Sequence, residues 1–254
     1  MRVPSLSQLT RHLFIDIETV PVAGSYDALS AGMQHQWDRK SRNLKSAYDD
    51  DPTSAALFDE RAGLFSEFNK VVCIGIGCLV ERPEGWKVVC QSIASHDERA
   101  LLSAFCSALG KFTKNEYNNI FVGHNIREFD LPCLCRRFLV NGLSLPSCLD
   151  FQGKKPWQVL HVYDTLELWK FGDNKNYTSL DLLAEIFDIP SSKTDIDGSM
   201  VGRVYWEEND LDRIAAYCMR DVYTTARVYL KLVGQFVEEP EAEFHPQPLL
   251  VAAS

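Results

Sequence analysis

The sequence predicts an α/β domain: a mixed β-sheet with helices packed on it. Three observations lead there. Two β-rich apolar runs, VVCIGIGCLV at 71–80 and WKVVCQSI at 86–93, flank a short RPEG connection and read as a hairpin. Beyond them, strand-like and helix-like patterns alternate to the end of the chain. With 254 residues, 46% of them hydrophobic, the chain can bury one large core, and we read residues 1–254 as a single domain.

The first strand is expected at 11–17, where Leu13, Phe14, Ile15 and Ile17 are apolar and compatible with β structure. Residues 21–68, charged and carrying helix-compatible stretches such as SAGMQHQWDRKSRNLKSAY, read as an insertion before the hairpin. After it, Ser95 and Glu98 form a capping-box pattern ahead of Leu101, Leu102, Phe105 and Leu109 at helical spacing. NNIFVGH at 118–124 is a strand. DLPCLCRRFLVNG is a helix, with Pro132 in its first turn and Gly142 past its end. VLHVYD at 159–164 is another strand, Thr178 can cap SLDLLAEIFDIP, and Asn209 with Asp212 can open a long helix through LDRIAAYCMRDVYTTARVYLKLVGQF. The acidic, Pro-containing tail from Glu238 is expected to fray, and no internal repeat is visible.

Composition narrows the function classes. The longest apolar run is too short and too interrupted by glycine to span a bilayer, and MRVPSLSQLTRH has no apolar signal core, so a soluble, unprocessed chain is expected. Eight cysteines lie mostly in apolar segments without any C-x-x-C pair, a pattern of reduced thiols that suits a cytoplasmic protein. A net charge of -9 argues against gripping duplex DNA by neutralising phosphates, though not against a nuclease that touches only a chain end. GIG at 75–77 lacks the third glycine of a dinucleotide loop, and P-loop, H-E-x-x-H and G-x-S-x-G signatures are absent from the sequence.

Three short motifs carry chemistry. Asp16 and Glu18 lie two apart on a strand, so both carboxylates leave one face, where they repel each other and lose hydration unless something compensates them. Acids at a strand end can simply face water, whereas paired carboxylates on a rigid element also suit Mg²⁺ or Mn²⁺. GHNIREFDLP at 123–132 puts His124, Asn125, Phe129 and Asp130 where a strand gives way to a helix. Asp130 can be a plain helix cap there, yet such strand ends are where open α/β sheets collect their sites. In YCMRD, Tyr217 and Asp221 share a helical face one turn apart. A rival Y-x-x-x-D at Tyr177 and Asp181 is set aside because Tyr177 precedes the expected helix cap.

In this order F-I-D-I-E-T, H-N-x-x-x-F-D and Y-x-x-x-D resemble the exonuclease motifs of the DEDD (DnaQ-like) superfamily, in its tyrosine-containing (DEDDy) branch. The likeness is greatest to stand-alone 3′-to-5′ exonucleases related to the proofreading domain of family-B DNA polymerases. It extends through AGLFSEFNKVVCIGIG and SLDLLAEIFDIPSSKTDIDGSMV, from about residue 11 to about 232. Ala216 stands where the histidine-containing branch has its histidine, so Tyr217 takes that role.

The resemblance implies a ribonuclease H-like fold, with a mixed five-stranded sheet flanked by helices. It also implies two divalent ions, Mg²⁺ or Mn²⁺. Asp16 would bridge them, Glu18 and Asp221 would complete one shell, Asp130 would hold the second, and Tyr217 would orient the attacking water. Thr19, His124, Asn125, Phe129 and Lys193 would be nucleic-acid contacts, and Asp164 a supporting residue. The implied reaction releases nucleoside 5′-monophosphates from single-stranded or frayed 3′ ends, DNA being favoured over RNA. Trimming of RNA by the same site, or an inactive nucleic-acid-binding module, are the other readings. If proofreading is its work, a polymerase or repair protein on a separate chain is expected as its partner.

Overall fold

In a computed structural model, the structure describes residues 3–112, 120–173, 177–191, 195–236 and 239–246. In chain order the elements are α1 (Leu6–Leu9), β1 (His12–Pro21), α2 (Ala31–Ser41), α3 (Ser54–Arg61), β2 (Asn69–Arg82), β3 (Gly85–Ala94), α4 (Glu98–Phe112) and β4 (Ile120–Gly123). They continue with α5 (Asp130–Val140), β5 (Val162–Asp164), α6 (Thr165–Lys170), α7 (Leu180–Ile186), α8 (Val201–Trp206), α9 (Leu211–Leu232) and β6 (Glu241–His245).

The sheet runs β5-β4-β1-β2-β3-β6, with the β1–β2 and β2–β3 pairs antiparallel and the other pairs parallel. Five of these strands are the expected ones; the sixth corrects the expectation of a frayed tail. β6 pairs with β3 because its acids meet bases that the linear sequence does not place beside them: Glu243 with Arg82 at 2.9 Å and Glu241 with Lys87 at 2.5 Å. Glu239, just ahead of it, binds Arg227 and Lys231 of α9.

Strand alternation sorts β1 onto two sides. Leu13, Ile15 and Ile17 enter the core built with α4 and α5, whereas Phe14 and Val20 enter cores built with α9. Asp16 and Glu18, in phase with Phe14 and Val20, therefore face α9. The insertion, residues 22–68, carries α2 and α3 around its own small core, in which fully buried Trp37 packs on Phe58 and Phe68.

Three helix starts differ from expectation, each for an identifiable reason. Glu98 does not close a capping box; its carboxylate turns inward to the Val71 N–H and to Arg137, while Asp97 caps the helix through the Ala100 N–H. Ser179, not Thr178, caps α7. The backbone of Asn209 takes a left-handed φ of 52°, leaving Asp210 as the cap of α9.

Candidate active site

Two glycines let the site close. Gly75 is the cross-strand partner of Asp16, and a Cβ there would lie 2.7 Å from Val222 and 2.9 Å from the Cys218 sulfur; one at Gly77 would lie 2.6 Å from Val222. The bare backbone of β2 lets α9 descend onto the sheet and brings Tyr217, Cys218 and Asp221 to the carboxylates of β1. The ladder is interrupted at the same place by a register shift between Glu18 and Thr19, where β2 advances from Cys73 to Val71.

The result is a cluster of acids from three elements. One ligand atom each from Asp16, Glu18 and Cys218 lies within 4.8 Å of the others. Asp130, the first residue of α5, accepts the Ile17 N–H at 3.1 Å; that group is available because β1 pairs with β4 only as far as Phe14. The Tyr217 phenol lies in the field of Asp221, one turn further along α9, and of Glu18 and Asp16. All four acids and the tyrosine picked out from the sequence thus converge.

Their electrostatics are those of crowded like charges. Burial, then Asp221 and Asp130, hold the Asp16 carboxyl well above the usual carboxylate range. Glu18 is raised by burial and then by Asp16 and Asp221. Burial pushes Asp130 up to about 7, against the pull of its backbone hydrogen bonds. The Tyr217 phenol is also raised, by burial and then by Asp221, Glu18 and Asp16, and so keeps its proton. Among the described residues, no lysine, arginine or histidine forms an ion pair with Asp16, Glu18 or Asp130.

The other candidates fall into place differently. Both ring nitrogens of His124 are used within the protein, Nδ1 with the Thr165 hydroxyl at 2.9 Å and Nε2 with the Thr178 carbonyl at 3.0 Å. It ties loops together and has no nitrogen left for nucleic acid. Burial lowers its pKa to about 4, keeping it neutral. The Thr19 hydroxyl donates to the Gly63 carbonyl at 2.7 Å, so it serves to hold the insertion against β1. Phe129 packs, partly buried, on the core shared with α5. Asn125 sits at the rim with a left-handed φ of 58°, and Lys193 lies outside the described residues. Asp164 is the organiser of this rim: it caps α6 and accepts the N–H groups of Asn125 at 2.8 Å and Arg127 at 3.1 Å. Cys218 was missed as a neighbour of the acids. Its sulfur lies 3.5 Å from Asp16 Oδ2, and only the G-x-G of β2 hinted at so close a helix.

Residues 64–243 match the family described as predicted 3′-5′ exonucleases related to the exonuclease domain of PolB. The chain belongs to that family. The matched stretch contains Asp130, Tyr217 and Asp221; β1, with Asp16 and Glu18, lies ahead of it, and the fold brings the two parts together. No curated protein matches the chain. Among solved structures, the family B DNA polymerase of the hyperthermophilic archaeon Pyrobaculum calidifontis is similar over 87% of this chain, with a TM-score of 0.54 and 18% identity. The chain spans 24% of that polymerase's length. The fold of this PolB-related exonuclease is accordingly the ribonuclease H-like one, its sheet extended by β6. Among the described residues, no helix is long and apolar enough to cross a membrane.

Proposed function

We propose that this 3′-to-5′ exonuclease removes nucleoside 5′-monophosphates from single-stranded or frayed DNA 3′ ends, with two divalent ions, Mg²⁺ or Mn²⁺, held by Asp16, Glu18, Asp130 and Asp221. The observation that carries this reading is the convergence of four carboxylates, in which Asp16 is raised by burial and then by Asp221 and Asp130, and Glu18 by burial and then by Asp16 and Asp221. The donor set fits hard cations. It offers carboxylate oxygens, and the adjacent Cys218 thiol is raised by burial and so stays protonated. When bound, such ions supply Lewis acidity to the scissile phosphodiester and to the attacking water.

The chain's own groups do the rest. Tyr217 keeps its proton and so acts as a hydrogen-bond donor that fixes the position of the water, rather than as a base. Asp164 and neutral His124 hold the loop from Asn125 to Phe129 and the approach to α7 in register with the acids. With a net charge of -9, affinity must come from the few terminal nucleotides that reach the cluster, and these must be unpaired to do so.

Matched 5′-labelled DNA and RNA oligonucleotides, ending in a 3′-hydroxyl or a 3′-phosphate, test this with Mg²⁺, Mn²⁺ or excess EDTA. The expected result is a 3′-shortening ladder on DNA, slowed by the 3′-phosphate and by pairing of the last base, and absent in EDTA. Equal rates on both termini would overturn the exonuclease polarity, and activity in EDTA the metal requirement. Faster digestion of RNA would move the substrate assignment to RNA.

A further inference from the structure

Tyr177 stands at the rim of the carboxylate cluster, two residues ahead of the α7 cap, with 61% of its surface exposed. It is held there. Its ring meets His124 edge to face, with centroids 5.8 Å apart and planes inclined by 73°. The same imidazole grips the next residue, Thr178, through its carbonyl at 3.0 Å, and is fixed on its other side by Thr165. The buried network behind the acids thus positions an aromatic ring that the core does not use. An exposed aromatic ring leaves a large apolar surface in water, a cost that a flat partner can recover.

The chemistry of the rim selects that partner. Burial and then Asp130, Asp164, Asp16 and Asp221 raise the Tyr177 phenol, which places the ring within the field of the cluster and keeps it neutral. A phosphate brought against the ring would meet that negative field without the help of bound ions. A nucleobase would not, because its face is neutral and polarisable. Phe129, the aromatic of the second motif, is committed to the core.

On the exonuclease reading given above, we propose that Tyr177 is the platform on which a base at the 3′ end stacks while its phosphodiester lies at the carboxylates. Stacking of this kind tolerates any base, as an exonuclease that digests through all sequences requires.

The test pairs Tyr177 variants with oligonucleotides that differ only in the last residue, a normal or an abasic nucleotide, assayed in Mn²⁺. Binding is followed separately in Ca²⁺ by the fluorescence of a 3′-terminal 2-aminopurine. Tyr177→Ala is expected to raise KM by about 5- to 150-fold, the range of a lost base–aromatic stack, with kcat much less affected. The wild type should discriminate against the abasic end, Tyr177→Ala should lose that discrimination, and Tyr177→Phe, which keeps the ring, should retain it. Quenching of 2-aminopurine on binding should follow the same order. An abasic penalty that persists undiminished in Tyr177→Ala would overturn the proposal and leave the exonuclease reading intact. A wild type that degrades none of these oligonucleotides would overturn both.

Discussion

Buried carboxylates occur on both faces of this sheet, and the two sets are satisfied in opposite ways. On the α4/α5 face, Glu98 accepts the Val71 N–H at 2.8 Å, two arms of Arg137 at 2.9 and 2.6 Å, and the Asn141 amide at 2.8 Å. Arg137 spends a further arm on the Ser66 carbonyl at 3.0 Å, tying α4, α5, β2 and the insertion together. On the α9 face, burial acts first and other acids second, Asp221 and Asp130 on Asp16, and Asp16 and Asp221 on Glu18, and each is driven toward its protonated form. Burial is common to both faces, so burial alone does not mark a functional acid. A buried acid compensated within the chain is a structural joint, whereas buried acids that crowd one another must take up protons or, on the function proposed above, be compensated by a cation from outside.

The largest effect expected from this contrast separates chemistry from stability. Asp16→Asn should abolish turnover while leaving a folded protein that melts higher than wild type in excess chelator at neutral pH, because like-charge repulsion is relieved. Glu98→Gln should do the reverse. Breaking one partner of a buried pair costs about 3–5 kcal/mol, so its melting temperature should fall by roughly 6–20 °C while the folded fraction stays active. Thermal melts and single-turnover digestion of one labelled oligonucleotide measure both. If Asp16→Asn were destabilised as much as Glu98→Gln, the two faces would be equivalent and the comparison would fail.

Tyr217→Phe sharpens the α9 side by removing a donor without removing a charge. If the hydroxyl only positions water, the rate should drop by roughly 10²- to 10⁴-fold while divalent cations still stabilise the protein in a melt. Loss of that stabilisation would instead make the phenol part of the cation site, beside Asp221.

How much of this was legible in the sequence follows the same division. Asp16 with Glu18, and Tyr217 with Asp221, could be placed together because each pair follows a local period that fixes its direction, two along a strand and four along a helix. Asp130 was marked instead by its strand-to-helix junction and by the resemblance, and reaches β1 through the Ile17 N–H. The alternation that places Asp16 in phase with Phe14 survives into the fold unchanged. What could not be read depends on partners distant in sequence. Glu98 looked like a helix cap because its true partner, Arg137, lies 39 residues away. The tail looked frayed because the bases that hold β6, Arg82 and Lys87, come from an earlier hairpin. His124 looked available for nucleic acid because nothing near it in sequence announces Thr165 and Thr178. Tyr177 was set aside on correct grounds: it does precede the helix cap and does not share a helical face with Asp181. Its place at the rim comes from His124, a contact that no periodicity describes.

The smallest predicted effect concerns pH, and it tests whether crowding on the α9 face destabilises the metal-free fold. Asp130 gives the sign. An aspartate in the unfolded chain loses its proton near 3.8, whereas burial holds that of Asp130 up to about 7. Between those values the native state binds more protons than the unfolded state, so stability falls as pH rises, and above about 7 the whole penalty is present. Asp16 and Glu18 are raised by similar causes and add to the slope. His12 and His124 oppose it in the acid range: burial lowers both to about 4, so stability rises with pH as the unfolded imidazoles lose their protons. A direct comparison with Asp16→Asn cancels the histidines, which are identical in the two proteins. In excess chelator the two should melt closest together at acid pH, since the protonated form that burial favours at Asp16 is nearly isosteric with asparagine. As rising pH forces Asp16 to ionise, the variant should pull ahead of the wild type, by roughly 2–4 °C for each kcal/mol of repulsion removed. Millimolar Mg²⁺ or Mn²⁺ at pH 8 should then raise the wild type and leave the variant nearly unmoved, because the acid that joins the cluster is gone. A gap between the two proteins that is the same at pH 5 and pH 8 would mean that the charge on Asp16 carries no penalty in the fold. The acids of the α9 face would then be as well compensated as Glu98.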